Sequence, residues 1–223
     1  MKALIFGGSG ALGRSMIKVF KGWKVTNVDF NKNQECDDNI IIKNSSDIHF
    51  LKSELNTFEK FNCIICVAGG WIGGSIKDEN VLQVYEDMNQ KNVLPALVCS
   101  HLATTQLSRQ GLLIFTGAYS VFNAPTPSMI GYALAKTAVH TLAIQTAVST
   151  HLPEDSAVIT LLPETIDTPV NRQAMPKEDF TKWANPDQIA GLVRSWAEGL
   201  NRPKNGAFVH LRVKNGSIAP DFL

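Results

Sequence analysis

Tyr132 and Lys136 stand four positions apart in the segment GYALAKTAVH, residues 131–140. If this segment is a helix, the two side chains lie on one face, one turn apart. A free phenol has a pKa of about 10 and is a poor acid at neutral pH, but a nearby ammonium favours the phenolate and lowers that pKa. The spacing therefore predicts a tyrosine that donates a proton and is recharged, with an ordinary surface pair on a helix as the alternative.

A glycine-rich turn, GGSGALG at residues 7–13, follows the first apolar run of the chain, KALIF. The order strand, glycine turn, helix matches the dinucleotide-binding fingerprint. In that fingerprint the glycines bring backbone N–H groups close to a pyrophosphate, and the helix N-terminus supplies partial positive charge. A bare tight turn is the alternative. The predicted phosphate-binding residues are Gly7, Gly8, Ser9, Gly10, Ala11, Leu12 and Gly13.

Asp29 ends the second apolar run, 16 residues beyond Gly13. A carboxylate at this place can accept hydrogen bonds from both adenosine ribose hydroxyls, and it repels a 2′-phosphate. The sequence therefore predicts NADH as the cofactor, with NADPH as a weaker one because Lys32 is close by. A solvated acid at a strand end is the alternative interpretation of Asp29.

Short apolar runs alternate with helical patterns along the chain. The runs predict strands at 2–6, 24–30, 39–43, 63–68, 111–117, 157–163 and 206–213, and the other patterns predict helices at 11–20, 47–60, 79–108, 128–151 and 186–200. Several runs are nearly continuous Val, Ile and Leu, as in parallel strands that are covered on both faces. The sequence predicts an α/β fold: a single Rossmann-type doubly wound domain over residues 1–223, with a seven-stranded, mainly parallel sheet.

More than 20 residues separate the strand ending near Leu162 from the helix beginning near Pro186. A connection that long in a compact domain is more often a binding loop or lid than a plain tether. It also follows the carboxyl end of a strand, where open α/β sheets bind ligands. Residues 164–185 are therefore a predicted substrate loop, with 170–185 as its lid.

Composition and charge exclude several classes of protein. The net charge is +1, the hydrophobic fraction 44% and the charged fraction 18%, which are values of a globular chain without a basic field for nucleic acid. No apolar run is long enough to span a bilayer. These features predict a cytoplasmic protein with no nucleic-acid or membrane partner.

No metal site or disulfide is predicted. Cys63 and Cys66 form a C-x-x-C, but positions three apart on a strand face opposite sides of the sheet, so the pair cannot share a metal or close a disulfide. Core packing is favoured over redox or zinc chemistry. The five histidines show no ligand spacing. His140, two helical turns after Tyr132, is expected to have a packing or surface role, with a secondary role near the pocket as the alternative.

Several motifs in chain order resemble the short-chain dehydrogenase/reductase family: the glycine turn, Ala68-Gly69 after the fourth strand, and Tyr132-x-x-x-Lys136. Asn92 stands where that family carries an asparagine in the helix before the fifth strand. The resemblance implies that Tyr132, Lys136 and Asn92 are catalytic, although Asn92 could be a plain polar helix residue. It also implies that Tyr132 and Lys136 lie beside the nicotinamide and that the remaining cofactor-binding residues lie along the cofactor and at its carboxamide end. These residues are Ala68, Gly69 and Gly70 along the cofactor, and Pro163, Thr165 and Thr168 at the carboxamide end.

A narrower resemblance is to the dihydropteridine reductases of that family, carried by segments such as CVAGGWIGG and LLPETIDTPVNR. The wider family's catalytic serine, about 13 residues before the tyrosine, is missing, and Tyr119 stands there. A ketone reductase uses that hydroxyl to hold the substrate oxygen, whereas a quinonoid dihydropteridine accepts hydride into a conjugated C=N system. The missing serine therefore suits a pterin, with Ser120 turning inward as the alternative.

Trp71 follows the glycines in AGGWIGG, where small neighbours leave room for a flat ligand. Its indole and Tyr132 are the predicted substrate-binding groups, with a core tryptophan as the alternative for Trp71. The resulting hypothesis is NADH-dependent reduction of quinonoid dihydropteridine to tetrahydropteridine. Its rivals are a short-chain reductase of another heterocycle or quinone, and a non-catalytic NAD-binding sensor.

The family usually dimerises through the two long helices that flank the fifth strand. The resemblance therefore implies a homodimer through helices at about 79–108 and 128–151. Small and apolar residues in VCSHLATTQL are compatible with close packing of those helices.

Overall fold

The computed structural model describes residues 1–223, in which strands and helices alternate. The strands are β1 Lys2–Phe6, β2 Lys24–Asp29, β3 Asp38–Ile41, β4 Phe61–Cys66, β5 Leu107–Thr116, β6 Ala157–Pro163, β7 Phe208–Lys214 and β8 Ser217–Phe222. The helices are α1 Ala11–Val19, α2 Ile48–Leu55, α3 Val81–Met88, α4 Leu94–Gln106, α5 Tyr119–Asn123, α6 Ile130–Ala147, α7 Pro169–Ala174 and α8 Pro186–Ala197. None of these helices has the length and apolar composition needed to cross a bilayer.

All eight strands form one sheet in the order β3-β2-β1-β4-β5-β6-β7-β8. Neighbouring strands are parallel except for β7 and β8. From β1 the chain proceeds to β2 and β3 on one side, and β4 begins the other side, so the direction of winding reverses between β1 and β4. The crevice at the carboxyl ends of those two strands is where open α/β sheets bind ligands. The predicted fold class is confirmed.

The sheet is covered on both faces by helices. One core cluster joins α1 and α8 through residues such as Met16 and Trp196. The other joins α2, α4 and α6, with Leu102 at its centre fully buried. Because side chains alternate across a strand, Cys63 belongs to the first cluster and Cys66 to the second. The two thiols are thus separated by the sheet.

The sheet has eight strands, whereas the sequence predicts seven. β8 pairs with β7 in a hairpin whose turn residues are Asn215 and Gly216, with φ angles of 52° and 75°. Positive φ at both central positions is the geometry of a type I′ turn, for which Asn-Gly is the preferred dipeptide. The signal for an eighth strand was therefore present in the sequence as KNGS.

The predicted helix 79–108 is divided in the structure. α3 ends at Met88, a π-helical turn occupies Asn89–Val93, and α4 begins at Leu94. Such turns are rare and occur frequently at functional sites. Asn92 lies inside this one, so the interruption coincides with a predicted catalytic residue.

The predicted loop 164–185 contains local structure, including α7 and a 3-10 turn at Phe180–Lys182. Its two ends are joined by an isolated bridge between Ile166 and Ala184. In that bridge the Ala184 N–H donates to the Thr165 carbonyl at 2.8 Å. The base of the loop is therefore fixed next to the carboxyl end of β6, and the residues between the two ends form a single closed loop.

Candidate active site

The glycine turn after β1 can be formed only by residues without a Cβ. Gly7 has a φ of +86°, and a Cβ there would lie 2.6 Å from the Cα of Ala68. A Cβ on Gly13 would lie 2.0 Å from the carbonyl oxygen of Gly7. Real Cβ contacts are not that short, so Gly7 allows the backbone after β1 to approach the backbone after β4, and Gly13 allows α1 to pack against the turn.

The N-terminus of α1 presents unbonded backbone donors to the crevice. Gly10 is the N-cap residue and makes no side-chain cap. The first helical bond runs from the Arg14 N–H to the Gly10 carbonyl at 2.9 Å. The N–H groups of Ala11, Leu12 and Gly13 therefore have no partner within the protein. An uncapped helix start behind a turn that excludes Cβ atoms fits a dinucleotide pyrophosphate.

Asp29 lies at the carboxyl end of β2, beside the glycine turn. One carboxylate oxygen accepts the Ser9 N–H at 2.9 Å, and the other accepts the Asn31 N–H at 3.1 Å. Each oxygen keeps a further lone pair that a ribose hydroxyl could use. Ser9 thus contributes to this site through its N–H bond to Asp29.

Asn92 connects the π-helical turn to the loop after β4. Its Oδ1 accepts the Gly70 N–H at 3.3 Å, while its Nδ2 donates to the carbonyls of Gly70 at 3.1 Å and Met88 at 2.9 Å. The side chain is only 2% exposed. A Cβ on Gly69 would lie 2.9 Å from Asn92 Oδ1, so the loop requires glycine to pack here. The structure thus gives Asn92 a specific role in fixing the segment predicted to line the cofactor.

Lys136 and Tyr132 lie one turn apart on α6, as the spacing predicts. Lys136 is buried, and its Nζ donates to the Thr116 carbonyl at the end of β5 at 2.8 Å. The same Nζ is 5.7 Å from the centroid of the Tyr132 ring. A Cβ on Gly69 would be 3.7 Å from it. The structure therefore brings the predicted tyrosine, lysine and asparagine together at the carboxyl edge of the sheet.

A close helix contact sets the position of Tyr132. A Cβ on Gly131 would lie 3.2 Å from the backbone of Tyr85 on α3, so α6 approaches α3 at a glycine. The Tyr132 ring then packs against a small cluster that contains Val84 and Met88. Packing from α3 thus holds the ring on the side of the crevice.

Trp71 is 58% exposed, so its interpretation as a core tryptophan is wrong. The indole N–H points to the sulfur of Met129 at 3.4 Å. Backbone bonds join the two segments: the Gly74 N–H donates to the Ser128 carbonyl at 2.8 Å, and the Ile130 N–H donates to the Gly74 carbonyl at 2.9 Å. The loop that carries Trp71 is therefore tied to the segment leading into α6.

The residues after β6 lie at the base of the loop 164–185. Pro163 ends β6, and the Thr165 carbonyl accepts the Ala184 N–H of the bridge described above. The Thr168 hydroxyl accepts the Asn171 N–H at 3.2 Å and caps α7. All three residues come after or at the carboxyl end of β6. Thr165 and Thr168 also stabilise the loop through these hydrogen bonds.

Tyr119, at the position of the missing serine, is turned toward β7. Its ring stacks on His210 with centroids 3.5 Å apart and an interplanar angle of 2°. His210 Nε2 lies 2.8 Å from Glu164 Oε1. Ser120 is exposed on α5. Tyr119 is thus engaged in a stack with His210, and Glu164 joins the same cluster.

No family model matches the chain. The dihydropteridine reductase of Dictyostelium discoideum is 32% identical to it over 219 residues, which cover 95% of this chain and 94% of that relative. The chain belongs to the short-chain dehydrogenase/reductase family, in the branch that contains dihydropteridine reductase.

Two solved structures have the same fold as this reductase. A short-chain dehydrogenase family protein from Francisella tularensis has a TM-score of 0.79 at 22% identity, covering 94% of this chain and 96% of its own. BdcA, solved in complex with NADPH, has a TM-score of 0.78 at 19% identity, covering 99% of this chain and 95% of its own. Together with the relative, they make this protein an NAD(P)H-dependent oxidoreductase.

Burial controls the ionisation of the reductase's tyrosine and lysine. It raises the pKa of Tyr132 to about 12, so the prediction of a lowered pKa is wrong for this structure. The physical reason is that removing a phenolate from water outweighs the attraction of an ammonium 5.7 Å from the ring centroid. Burial also lowers the pKa of Lys136 to about 8. At neutral pH the phenol is therefore neutral and the ammonium is charged.

His140 supports the backbone beside the site. Its Nε2 accepts the Ala118 N–H at 3.2 Å, and a Cβ on Gly117 would lie 2.4 Å from that nitrogen. Burial, assisted by the charge of Lys136, lowers the pKa of His140 to about 4. The imidazole is therefore neutral at pH 7 and Nε2 remains an acceptor. The packing role expected from the sequence fits the structure, because His140 is buried and packs edge-on against Phe208.

Two groups that contact the predicted residues are not found by sequence reasoning. The Thr116 carbonyl, which accepts the Lys136 bond, is a backbone atom with no sequence signal. Met129, which contacts Trp71, precedes the helix by one residue and has no distinctive spacing. Only its place in PSMIGY, three residues before the tyrosine, could have indicated Met129.

Proposed function

We propose that this reductase converts quinonoid dihydropteridine to tetrahydropteridine with NADH. The observation that carries the proposal is the exposed Trp71, whose loop is bonded to the segment that leads directly into the helix of Tyr132. In this proposal a flat aromatic surface and a proton donor share one crevice. This combination suits a planar bicyclic substrate that must receive both a hydride and a proton.

The residues that would hold the dinucleotide follow the carboxyl edge of the sheet. The glycine turn and the start of α1 would bind the pyrophosphate, Asp29 the adenosine ribose, and Ala68, Gly69 and Gly70 the face of the cofactor. When bound, the reduced nicotinamide supplies the hydride for the reaction. Pro163, Thr165 and Thr168 would contact its carboxamide end.

Tyr132 donates the proton in this proposal, directly or through water. Burial raises its pKa to about 12, so the phenol carries its proton at neutral pH, and release of that proton depends on stabilisation of the phenolate. The substrate gains one hydride and one proton, so a single donor completes the reduction. Tyr132 also contacts the substrate, which makes it both a catalytic and a binding residue.

Lys136 keeps Tyr132 able to act. Its ammonium is held by the Thr116 carbonyl and lies close enough to the phenol ring to stabilise negative charge as the proton leaves. The same ammonium would hydrogen-bond the nicotinamide ribose. Asn92 supports this arrangement because it fixes the Gly69–Gly70 backbone next to Lys136.

Trp71 would bind the pterin by stacking. Stacking of aromatic groups contributes about 1 kcal/mol beyond burial of their area. Tyr119 is engaged with His210, so the position of the family serine does not offer a serine hydroxyl to hold a substrate oxygen. Reduction of a conjugated C=N system does not need an oxyanion held in that way, which favours a pterin over a ketone.

The loop 164–185 would act as the substrate loop, with 170–185 as a lid. Its ends are fixed by the Ile166–Ala184 bridge, whereas Val170 on α7 is 72% exposed. An apolar side chain that is exposed in the open state can be buried when such a segment closes over a ligand. Closure would exclude water from the path of the hydride.

NADH is the proposed cofactor in preference to NADPH. The carboxylate of Asp29 is held by two backbone N–H groups and offers lone pairs to the two ribose hydroxyls. A 2′-phosphate at the same place would meet a negative charge. Comparable kcat/KM values for the two cofactors would contradict this assignment.

A turnover assay separates the three functional hypotheses. NADH oxidation is measured with a freshly generated quinonoid dihydropteridine and, in parallel, with a simple quinone. We expect faster turnover of the pterin. Equal or faster turnover of the quinone would support a reductase of another substrate, and NADH binding without any turnover would support a sensor.

The proposed quaternary structure is a homodimer through α4 and α6. Both helices expose large apolar side chains. Leu97 is 50% exposed on α4, and Leu134 and Ile144 are 51% and 49% exposed on α6. Large exposed apolar side chains on two neighbouring helices favour association through those helices. A monomeric mass at micromolar concentration would contradict the dimer. The cytoplasmic location stays a prediction.

A further inference from the structure

Asn33 is the only buried residue between Asp29 and Asn39. Both polar atoms of its side-chain amide are bonded: Nδ2 donates to the Gly8 carbonyl at 2.9 Å, and Oδ1 accepts the Glu35 N–H at 2.9 Å. Buried amides in proteins are normally bonded in this way, and an amide bonded at both atoms fixes the backbone groups that it contacts. Asn33 therefore joins the loop after β2 to the glycine turn after β1.

The bond to Gly8 reaches Asp29 through a single peptide unit. The Gly8 carbonyl and the Ser9 N–H belong to the same planar peptide. Asn33 holds the carbonyl, and the Ser9 N–H donates to Asp29 Oδ2 at 2.9 Å. Rotation of this peptide would break both bonds together. Its orientation is therefore set by an amide on one side and by a carboxylate on the other.

Asn39 holds the backbone of Asn33, and Asn27 in turn bonds the side chain of Asn39. Asn39 Oδ1 accepts the Asn33 N–H at 2.8 Å, and Asn39 Nδ2 donates to the Asn33 carbonyl at 2.9 Å. Asn27, which is fully buried, donates to Asn39 Oδ1 at 3.0 Å. A Cβ on Gly8 would lie 2.3 Å from Asn27 Oδ1, so the turn rests directly on this asparagine network of residues 27, 33 and 39. The network leaves the peptide little freedom to move.

We propose that Asn33 is a positioning residue for cofactor selectivity. Through the Gly8–Ser9 peptide it holds the Asp29 carboxylate in the orientation that accepts the adenosine ribose hydroxyls. The inference rests on the role that the proposed function gives to Asp29. A carboxylate that is ordered before binding loses less conformational freedom when the ribose arrives, so NADH binds more tightly. NADPH gains nothing from the same ordering because its phosphate is repelled.

Dissociation constants for NADH and NADPH, measured by fluorescence titration without substrate, test the proposal. In Asn33→Ser the hydroxyl can still accept the Glu35 N–H in a local turn, but it is too short to reach Gly8. We expect Asn33→Ser and Asn33→Ala to raise the Kd for NADH about fivefold to tenfold, as for a lost buried hydrogen bond, with less than about a twofold change for NADPH. The kcat at saturating NADH is expected to stay unchanged.

A matched control is Asn62→Ala. The Asn62 side chain also accepts a backbone N–H, from Lys2 at 2.8 Å, but at the opposite end of the sheet. Each of the Asn33 and Asn62 substitutions removes a hydrogen bond to the backbone and should lower the melting temperature. Asn62→Ala should leave both dissociation constants unchanged. A merely structural role for Asn33 would give this same pattern and would overturn the proposal.

The double variant Asp29→Ala/Asn33→Ala shows whether Asn33 acts through Asp29. Once Asp29 is removed, we expect the Asn33 substitution to have no further effect on the ratio of the two dissociation constants. An equal effect in both backgrounds would overturn the inference. If Asp29→Ala alone leaves the ratio unchanged, the proposed role of Asp29 fails, and the inference fails with it for a distinguishable reason.

Discussion

The two ends of the cofactor crevice are built from different kinds of group. At the start of α6, Tyr132 and Lys136 are ionisable side chains whose pKa values are displaced by burial. At the glycine turn, Asp29 is held by backbone N–H groups, and Asn33 orients the peptide that supplies one of them. In the proposed function, the first end controls where a proton resides, and the second controls how a ribose is held.

Because the two ends use different groups, different measurements report on them: kcat and its pH profile on the end at α6, and cofactor affinity on the end at the glycine turn. If the proposed function is correct, changing a charge near α6 should alter the proton step and therefore kcat and its dependence on pH. Changing an amide near the glycine turn should alter the orientation of Asp29 and therefore cofactor affinity. If the separation is correct, variants at one end leave the other end's observable unchanged.

The largest expected effect is that of Tyr132→Phe. Removal of the proton donor should lower kcat by about 100-fold or more. The ring still packs against Val84 and Met88, so the melting temperature and the Kd for NADH should stay close to the wild-type values. Steady-state kinetics and thermal melting measure these quantities. A loss in kcat of less than about tenfold would show that Tyr132 is not the proton donor.

Lys136→Met should lower kcat by roughly 10-fold to 100-fold and change its pH profile. In the wild type, kcat should fall as pH rises through about 8, because the Lys136 ammonium loses its proton there. The variant should lack this inflection. Lys77→Met, at an exposed lysine, is the control and should keep it. An inflection near pH 8 in Lys136→Met would assign it to another group.

Trp71→Ala should raise the KM for the pterin about fivefold, the equivalent of a stacking contribution near 1 kcal/mol. Because the indole is 58% exposed, the melting temperature should not change. Trp71→Phe retains an aromatic face and should recover part of the affinity. An unchanged KM in Trp71→Ala would place the pterin elsewhere in the crevice.

The smallest effect on activity is expected from His140→Gln, which tests whether burial governs ionisation around α6. Between about pH 6.5 and pH 4 the unfolded His140 binds a proton that the folded imidazole does not, so the wild type should lose stability as the pH falls. The loss attributable to His140 is at most about 3 kcal/mol.

Urea unfolding at pH 7 and pH 5 measures this dependence. His140→Gln should flatten it, since a glutamine amide reaches the position of Nε2 and can accept the Ala118 N–H without titrating. Carboxylates titrate in both proteins and cancel in the comparison. Identical pH dependence of the two proteins would show that His140 is not held neutral by the fold.

Hydrophobic runs and glycine spacing predicted most of the fold, because buried parallel strands and a phosphate-binding turn have direct sequence signals. The antiparallel strand β8 was missed although Asn215-Gly216 marks its hairpin. The π-helical turn at Asn89–Val93 could not be predicted, because it has no composition of its own and depends on the packing of α3 and α4. Strand register and helix kinks are set by the tertiary structure.

The candidate site was predictable where spacing alone decides it, as for Tyr132 and Lys136. The direction of the Tyr132 pKa was not, because the sequence shows a neighbouring charge and does not show desolvation. Asn33 was also missed. It lies in a polar segment, and only the fold shows that its side chain is buried against Gly8. Contacts across the sheet edge have no signature along the chain.

A crystal structure of the protein with NADH tests the central claim most directly. We predict that the hydroxyl of Tyr132 and the ammonium of Lys136 face the nicotinamide end of the bound cofactor, with the Asp29 carboxylate at the adenosine ribose. A nucleotide bound outside this crevice, or a Tyr132 hydroxyl directed away from the nicotinamide, would contradict the account.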